Sequence, residues 1–312
     1  HYTKAENKEK TIHYLILAGN ESSKSGASAE ALQFYLNAMD LLPLSRKNDK
    51  KDHEVRNLEI KIALGYQATG KNLEAVVRFE SIIQKHFRFK FPKTEKSIEL
   101  RGIISIILLI FIINNQCLFF KRKLFKDFDL FAKIINHWGY ALLHLNPKHW
   151  ALKVAAAEVF VSQYNIRHSY SALSVFVDGA AIFNLGGVSI ETAKKIIDFV
   201  QKTGIEKDSI SLVDFEMVKR VHDYYIANWE INKYFDHTFK IGLRTGGSWA
   251  ISSYVFYSGM CSIELGNHNR FLEMAEKMKE LADAFDYFYT RTLRMRLLHM
   301  GFAKFRWYDK IL

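Results

Sequence analysis

An all-α fold, a right-handed superhelix of antiparallel helix pairs, is what this sequence predicts, and three observations carry the prediction. Glycine, alanine and aromatic residues recur in two consecutive stretches at the spacing of a helix-turn-helix unit. Only three prolines interrupt 312 residues, and 49% of the chain is hydrophobic and 14% aromatic. Few helix breakers and so much apolar surface describe long packed helices rather than a disordered chain.

The first unit runs from Thr11 to Pro43. Counted as a repeat of about 34 residues, it places Gly19 eighth, Gly26 fifteenth, Ala31 twentieth, Tyr35 twenty-fourth, Ala38 twenty-seventh and Pro43 thirty-second. Small residues at those places let two antiparallel helices approach, the aromatic fills the gap between them, and proline stops the second helix because it has no N–H to donate. This is the tetratricopeptide (TPR) pattern, which makes the predicted fold a TPR-like α-solenoid. One such unit cannot bury its apolar face alone, so neighbours must follow.

A second unit follows a Lys-rich loop and puts Tyr66 eleventh, Gly70 fifteenth, Ala75 twentieth and Phe79 twenty-fourth. In both units the glycine supplies a left-handed end to the first helix, and polar residues start the second. Residues 1–92 therefore form the regular repeats, and 93–312 continue the same solenoid with divergent ones. In the divergent part Leu130, Ile134, Trp138, Ala141 and Leu145 share one helical stripe, and Pro147 opens the next helix. Ser169 to Gly187 ends in a double glycine, and Ser189 caps its successor. Ser209 to Asn228 pairs with Trp229 to Arg244, and Trp249 to Leu265 with Asn269 to Phe285, with Gly259 and Gly266 in the eighth and fifteenth places. Tyr289 to Trp307 starts a further helix.

The stretch from Gly102 to Phe120 has no charged residue and lies between Arg101 and Lys121-Arg122-Lys123. Its length reaches the lower limit for crossing a bilayer, and basic flanks suit that reading. Asn114, Asn115 and Gln116 interrupt it, however, leaving an apolar run short for a span and normal for a buried helix. A span would also separate repeats that must touch. The expectation is a buried helix, with a membrane-associated helical protein using 102–120 as the alternative.

Chemistry is harder to find. Gly65 to Lys71 spells the G-x-x-x-x-G-K of a phosphate-binding loop, but Asn72 stands where Ser or Thr must ligate magnesium, and a helix precedes it where a strand is needed. Gly242 to Trp249, with Gly246, Gly247 and Arg244, reads as an inter-helix loop rather than an anion cradle. Twelve histidines form no zinc-binding spacing, and no nucleophile elbow or triad order is present. No catalytic, metal or cofactor residue is assigned. The aromatics Tyr224, Tyr225, Trp229 and Tyr234 sit mostly at core-facing intervals; if the inner surface carries a groove, Tyr224, Tyr225, Trp229 and Arg244 mark it.

Forty-four basic against thirty-three acidic residues leave a net charge of +11 and a pI near 9.4. Acidic residues are interleaved with the basic ones, so a solvated surface is expected rather than a nucleic-acid footprint. Two cysteines far apart, Cys117 and Cys261, give no disulfide framework and fit a reducing cytoplasm. The opening on His1, without methionine or signal-peptide layout, leads to the expectation of a piece cut from a longer protein.

His1-Tyr2, Tyr14-Leu15, Ala18-Gly19, Glu30-Ala31, Tyr35, Ala38 and Leu41-Leu42 together resemble the segment that follows the ATPase module in a bacterial family of large signalling proteins. That family joins class III adenylate/guanylate cyclase or kinase domains to an AAA/STAND-type ATPase and then to a long TPR-like region. The resemblance is specific over about the first quarter of the chain and loose beyond it. It implies a non-catalytic scaffold whose partners are a protein, a peptide or other domains of the parent chain.

Overall fold

The computed structural model describes residues 8–42, 49–87, 89–204, 209–230, 235–245, 247–285 and 287–307. Pro43, Tyr234, Gly246 and the His1-Tyr2 pair lie outside the described residues. Among the described residues the chain is all-α, with fourteen α-helices and a single isolated bridge, between Arg122 and Tyr164.

In chain order the helices are α1 (Lys8–Lys24), α2 (Ser28–Leu41), α3 (Asp49–Ala68), α4 (Asn72–Phe87), α5 (Glu95–Asn114), α6 (Phe128–Leu145) and α7 (Pro147–Val161). They continue with α8 (Tyr170–Leu185), α9 (Ile190–Thr203), α10 (Ile210–Tyr225), α11 (Phe235–Thr245), α12 (Ser248–Glu264), α13 (His268–Phe285) and α14 (Phe288–Lys304). Sequence neighbours pack as hairpins: α1 with α2, α3 with α4, α6 with α7, α8 with α9, α10 with α11 and α12 with α13. The first members of successive hairpins also pack side by side, α6 on α8, α8 on α10, α10 on α12 and α12 on α14. α5 stands outside this alternation, resting on α7 and touching α9.

One local device recurs at the ends of the first helices. At the end of α1 the Ala27 N–H donates to Ser22 O at 2.8 Å and the Gly26 N–H to Ser23 O at 3.3 Å, with Gly26 at φ +84°. α3 repeats it with Lys71 to Tyr66 at 2.9 Å and Gly70 to Gln67 at 3.1 Å. This paired closure satisfies helix carbonyls that have no partner within the helix. The same closure ends α8, α10, α12 and α14, with Gly187, Ala227, Gly266 and Arg306 in the left-handed position. α6 differs: Asn146 takes its place, its side chain accepting from the His149 N–H at 3.0 Å, and Pro147 starts α7. The loop that resembled a phosphate-binding motif is thus the capped end of α3.

Packing within the first hairpin follows the repeat spacing. A Cβ at Gly19 would come within 2.5 Å of the Tyr35 ring, so only glycine lets α1 and α2 meet there. Ala31, Tyr35 and Ala38 are buried and join Leu32, Leu58 and Ile62 in a small core of their own. In the second hairpin Ala75 and Phe79 are fully buried in the main core, and Tyr66 packs against both cores. Burying a side chain such as Phe79 contributes roughly 1.5–3 kcal/mol.

Two elements differ from the sequence expectation. The uncharged run is neither a helix to Phe120 nor a buried one. α5 ends at Asn114, and only Ile98, Gly102, Ser105, Leu109, Ile112 and Ile113 are buried along it. Its outer face is exposed because α5 has essentially one neighbour, α7. The chain then returns by hydrogen bonds from the Phe120 N–H to Ser162 O (2.9 Å) and from the Arg122 N–H to Gln163 O (3.0 Å). Those bonds seat the Phe120 ring against Phe176 and Phe199. Trp229 begins no helix either: its indole N–H donates to Tyr224 O at 3.1 Å in the loop after α10.

The row of first helices curls until its ends approach. A Cβ on Gly26 would lie 3.4 Å from the Ala284 carbonyl, and one on Gly70 would lie 4.0 Å from the Phe288 ring. Across the curl, Tyr140 of α6 stacks on Trp249 of α12 at 3.9 Å and 10°, and His144 of α6 meets Tyr289 of α14 at 4.4 Å.

Candidate functional site

Inside the curl lies a cavity of about 500 Å³, a volume suited to a small molecule or a few side chains of a peptide. Nearly all of its wall comes from first helices. Lys61 and Gln67 belong to α3, Lys133, Asn136, His137 and Tyr140 to α6, Ser174 to α8, Asp214 to α10 and Trp249 to α12. Second helices contribute little to it: Ser28, Ala31 and Tyr35 of α2 and Thr245 at the end of α11.

One wall is cationic. The Lys61 ammonium donates to Asn20 Oδ1 at 2.7 Å and lies 5.5 Å from the Tyr35 ring centroid; partial burial lowers its pKa. Lys133 stands exposed at the same wall. His137 is locked between neighbours, its Nδ1 3.1 Å from Gln67 Oε1 while Gln67 Nε2 donates to the His137 carbonyl, also at 3.1 Å. Burial, reinforced by the charge of Lys133, brings the imidazole down to about 4, so it is neutral at pH 7.

The floor is acidic and buried. The Tyr140 hydroxyl donates to Asp214 Oδ1 at 3.4 Å, and burial, followed by the nearby charges of Asp178 and Asp214, pushes the tyrosine well above its ordinary range. Burial raises Asp214 to about 7, against the opposing pull of the Ser174 and Tyr140 hydroxyls. Asp178 is raised further by burial and by the Asp214 charge. Beneath them Glu158 of α7 is fully buried against the backbone of Gly179, neither carboxyl oxygen has a hydrogen-bond partner, and burial raises it well above the carboxylate range. A charge so placed is costly, and the group stays neutral instead.

Among the cavity-lining residues, Asn136 Oδ1, an acceptor, and Trp249 Nε1, a donor, are buried polar atoms without a hydrogen-bond partner among the described residues. With the Tyr140–Trp249 stack they give the cavity a flat aromatic wall, a donor, an acceptor and a titratable carboxyl. Such a wall can hold a planar or extended group and hydrogen-bond both of its edges. Among the described residues no set of three or more His, Cys, Asp or Glu side chains is placed to hold a metal ion.

The residues singled out from sequence for a groove are elsewhere. Tyr224 packs on Tyr225 and Tyr257, Tyr225 is exposed, Trp229 caps the loop after α10, and Arg244 stands at the exposed end of α11. None of them lines the cavity. Of the repeat-packing residues, Ala31 and Tyr35 do reach it, while Gly19, Gly26, Ala38, Gly70, Ala75 and Phe79 act in the hairpins.

No protein-family model, curated protein or solved structure shows a significant match to the chain.

Proposed function

We propose that the chain is a TPR-like right-handed superhelix serving as a non-catalytic scaffold, and that its inner cavity receives a peptide segment from a partner protein or from another domain of the same parent chain. The observation that carries this reading is the cavity wall itself: first helices from α1 to α12 converge on one space holding stacked aromatics and the unpartnered Asn136 Oδ1 and Trp249 Nε1. Leaving such atoms unpaired costs about 1–3 kcal/mol each, which a bound backbone amide would recover. A peptide suits the site because one amide group offers both a donor and an acceptor.

The resemblance of the first quarter to the region after an AAA/STAND-type ATPase gives this scaffold its setting, a cytoplasmic bacterial signalling protein. Occupation of the cavity would then bias the relative rotation of the hairpins that meet across it, and the binding free energy would reach neighbouring domains by that route. Phosphate chemistry has no place in the reading, so Lys71→Ala leaves nucleotide turnover unchanged.

Selection from a random peptide library, performed in parallel on the wild-type chain and on Ser174→Trp, tests the proposal. Peptides that bind wild type and lose at least about tenfold in affinity for the filled cavity support it. Peptides that bind both equally, or a library that yields no binder, contradict it.

A further inference from the structure

α5 carries a feature that the cavity does not use. Leu100, Ile103, Ile104, Ile107, Leu108 and Phe111 are all exposed, Leu100 and Ile107 by 65% and 61%. Their spacing of three and four residues puts them on one face, a continuous apolar stripe along the outside of the molecule. The opposite face is anchored. Gly102 sits so close on Leu152 that no side chain fits there, and Leu109, Ile112 and Ile113 enter the main core.

We propose that this stripe docks the protein onto an anionic membrane surface, α5 lying in the plane of the interface rather than crossing it. The inference is independent of the cavity reading. Charge complementarity names the occupant. Around the start of the stripe stand the exposed Lys90, Lys93, Lys96 and Arg101, and after it the exposed Lys121, Arg122, Lys123 and Lys126. The acidic residues at its start, Glu95 and Glu99, are engaged by Lys148 and His149, and Asp127 by Arg56. An apolar stripe with uncompensated cations at both ends is the layout of a helix held at a bilayer surface by acyl-chain contact and anionic headgroups.

Size argues against a second copy as the occupant. From Leu100 to Phe111 the stripe is about 17 Å long and about 10 Å wide, on the order of 200 Å² per molecule. A stable dimer needs about 800 Å² from each partner. Crossing the bilayer is disfavoured by the anchored face. α5 is long and apolar enough for a span by composition, but inserting it would strip Leu109, Ile112 and Ile113 from the core and leave Ser105 and the apolar face of α7 uncovered.

Flotation with phosphatidylcholine vesicles, with and without phosphatidylserine, tests this on the chain as it stands. Wild type floats with the phosphatidylserine vesicles, binds the neutral ones at least about tenfold more weakly, and is released by added salt. The exposed pair of substitutions Ile103→Asp and Ile107→Asp abolishes binding while leaving the helical circular dichroism intact. Changing Lys121, Arg122 and Lys123 to Glu weakens it on the order of a hundredfold, about fivefold for each basic residue near the surface. The proposal is overturned by absence of binding to either vesicle, by undiminished binding of the Ile103→Asp, Ile107→Asp variant, or by attachment that resists both salt and alkaline carbonate, which marks a span. It is overturned equally by a sedimentation-velocity dimer that Ile107→Asp dissociates without any vesicle binding.

Discussion

The two halves of the molecule solve the same packing problem with different residues. In α1–α4 the interior is apolar: Thr11 and Gln67 are the buried polar side chains among the described residues there, and the small core around Tyr35 is closed by glycine and alanine. From α7 to α10 the interior contains Glu158, Asp178, Asp214, Asn184, Arg220 and His222. Regular repeats bury what stabilises them, whereas the divergent ones bury groups that are expensive to hide. Costly buried groups gather where a cavity needs polar walls, and the acidic floor beneath Tyr140 lies in that second region.

The largest effect that could break this comparison lies in the regular half. Phe79→Ala removes a fully buried ring and is expected to cost about 3–5 kcal/mol in chemical denaturation. A loss under 1 kcal/mol would mean that the α3–α4 hairpin is loosely packed.

Next in size is the acidic floor. Asp214, Asp178 and Glu158 have raised values in the fold, so between the ordinary carboxyl range near 4 and those values the native chain binds more protons than the unfolded one. Stability therefore falls as pH rises through that window, ending near 7 for Asp214. His137 and His144, lowered to about 4 by burial, act oppositely between about 4 and 6.5. Asp178 and Glu158, raised well above the ordinary carboxyl range by burial, add to the same fall. Glu158→Gln is expected to raise stability at pH 8 by about 1–3 kcal/mol and to flatten that slope; thermal melts at pH 6 and pH 8 measure it. An unchanged slope would place the proton elsewhere.

Smaller still is the turn after α10, where Ala227 occupies the left-handed place that glycine holds in four sister turns. Ala227→Gly is expected to stabilise by about 0.5–1 kcal/mol, read as a raised melting temperature. The smallest effect is expected at the exposed Lys148, which bridges Glu95 and Glu99 at 3.4 and 2.5 Å. Lys148→Ala should change stability by less than about 0.5 kcal/mol, and a larger loss would show that α5 depends on that contact.

The regular hairpins were legible in the sequence because a glycine beside an aromatic and a glycine in a left-handed turn admit few substitutes. α5 was half legible: its lack of charge was plain, but which face would find a neighbour depended on α7, some forty residues away in the chain. The cavity was not legible. Tyr140, Ser174, Asp214 and Trp249 belong to four helices, each of which reads on its own as an ordinary amphipathic or apolar segment. The available signal was a carboxylate where a core residue is expected, Glu158 within Ala155-Ala156-Ala157-Glu158-Val159 and Asp178 within Val175-Phe176-Val177-Asp178-Gly179. The aromatic cluster near Tyr224 drew attention by density, yet it serves the packing of α10 on α12 through Tyr257.

The curl brings the first hairpin to the last and encloses the cavity, so the cavity exists only if those ends meet. Cysteines at Ser25 and Ala284, introduced together in a Cys117→Ser background, test it with a short bifunctional maleimide at low protein concentration. Rapid cross-linking within single molecules is the predicted result, since the Gly26 turn lies against the Ala284 carbonyl. Thiols that react singly and never bridge would show the ends apart, and the cavity would then be an open face.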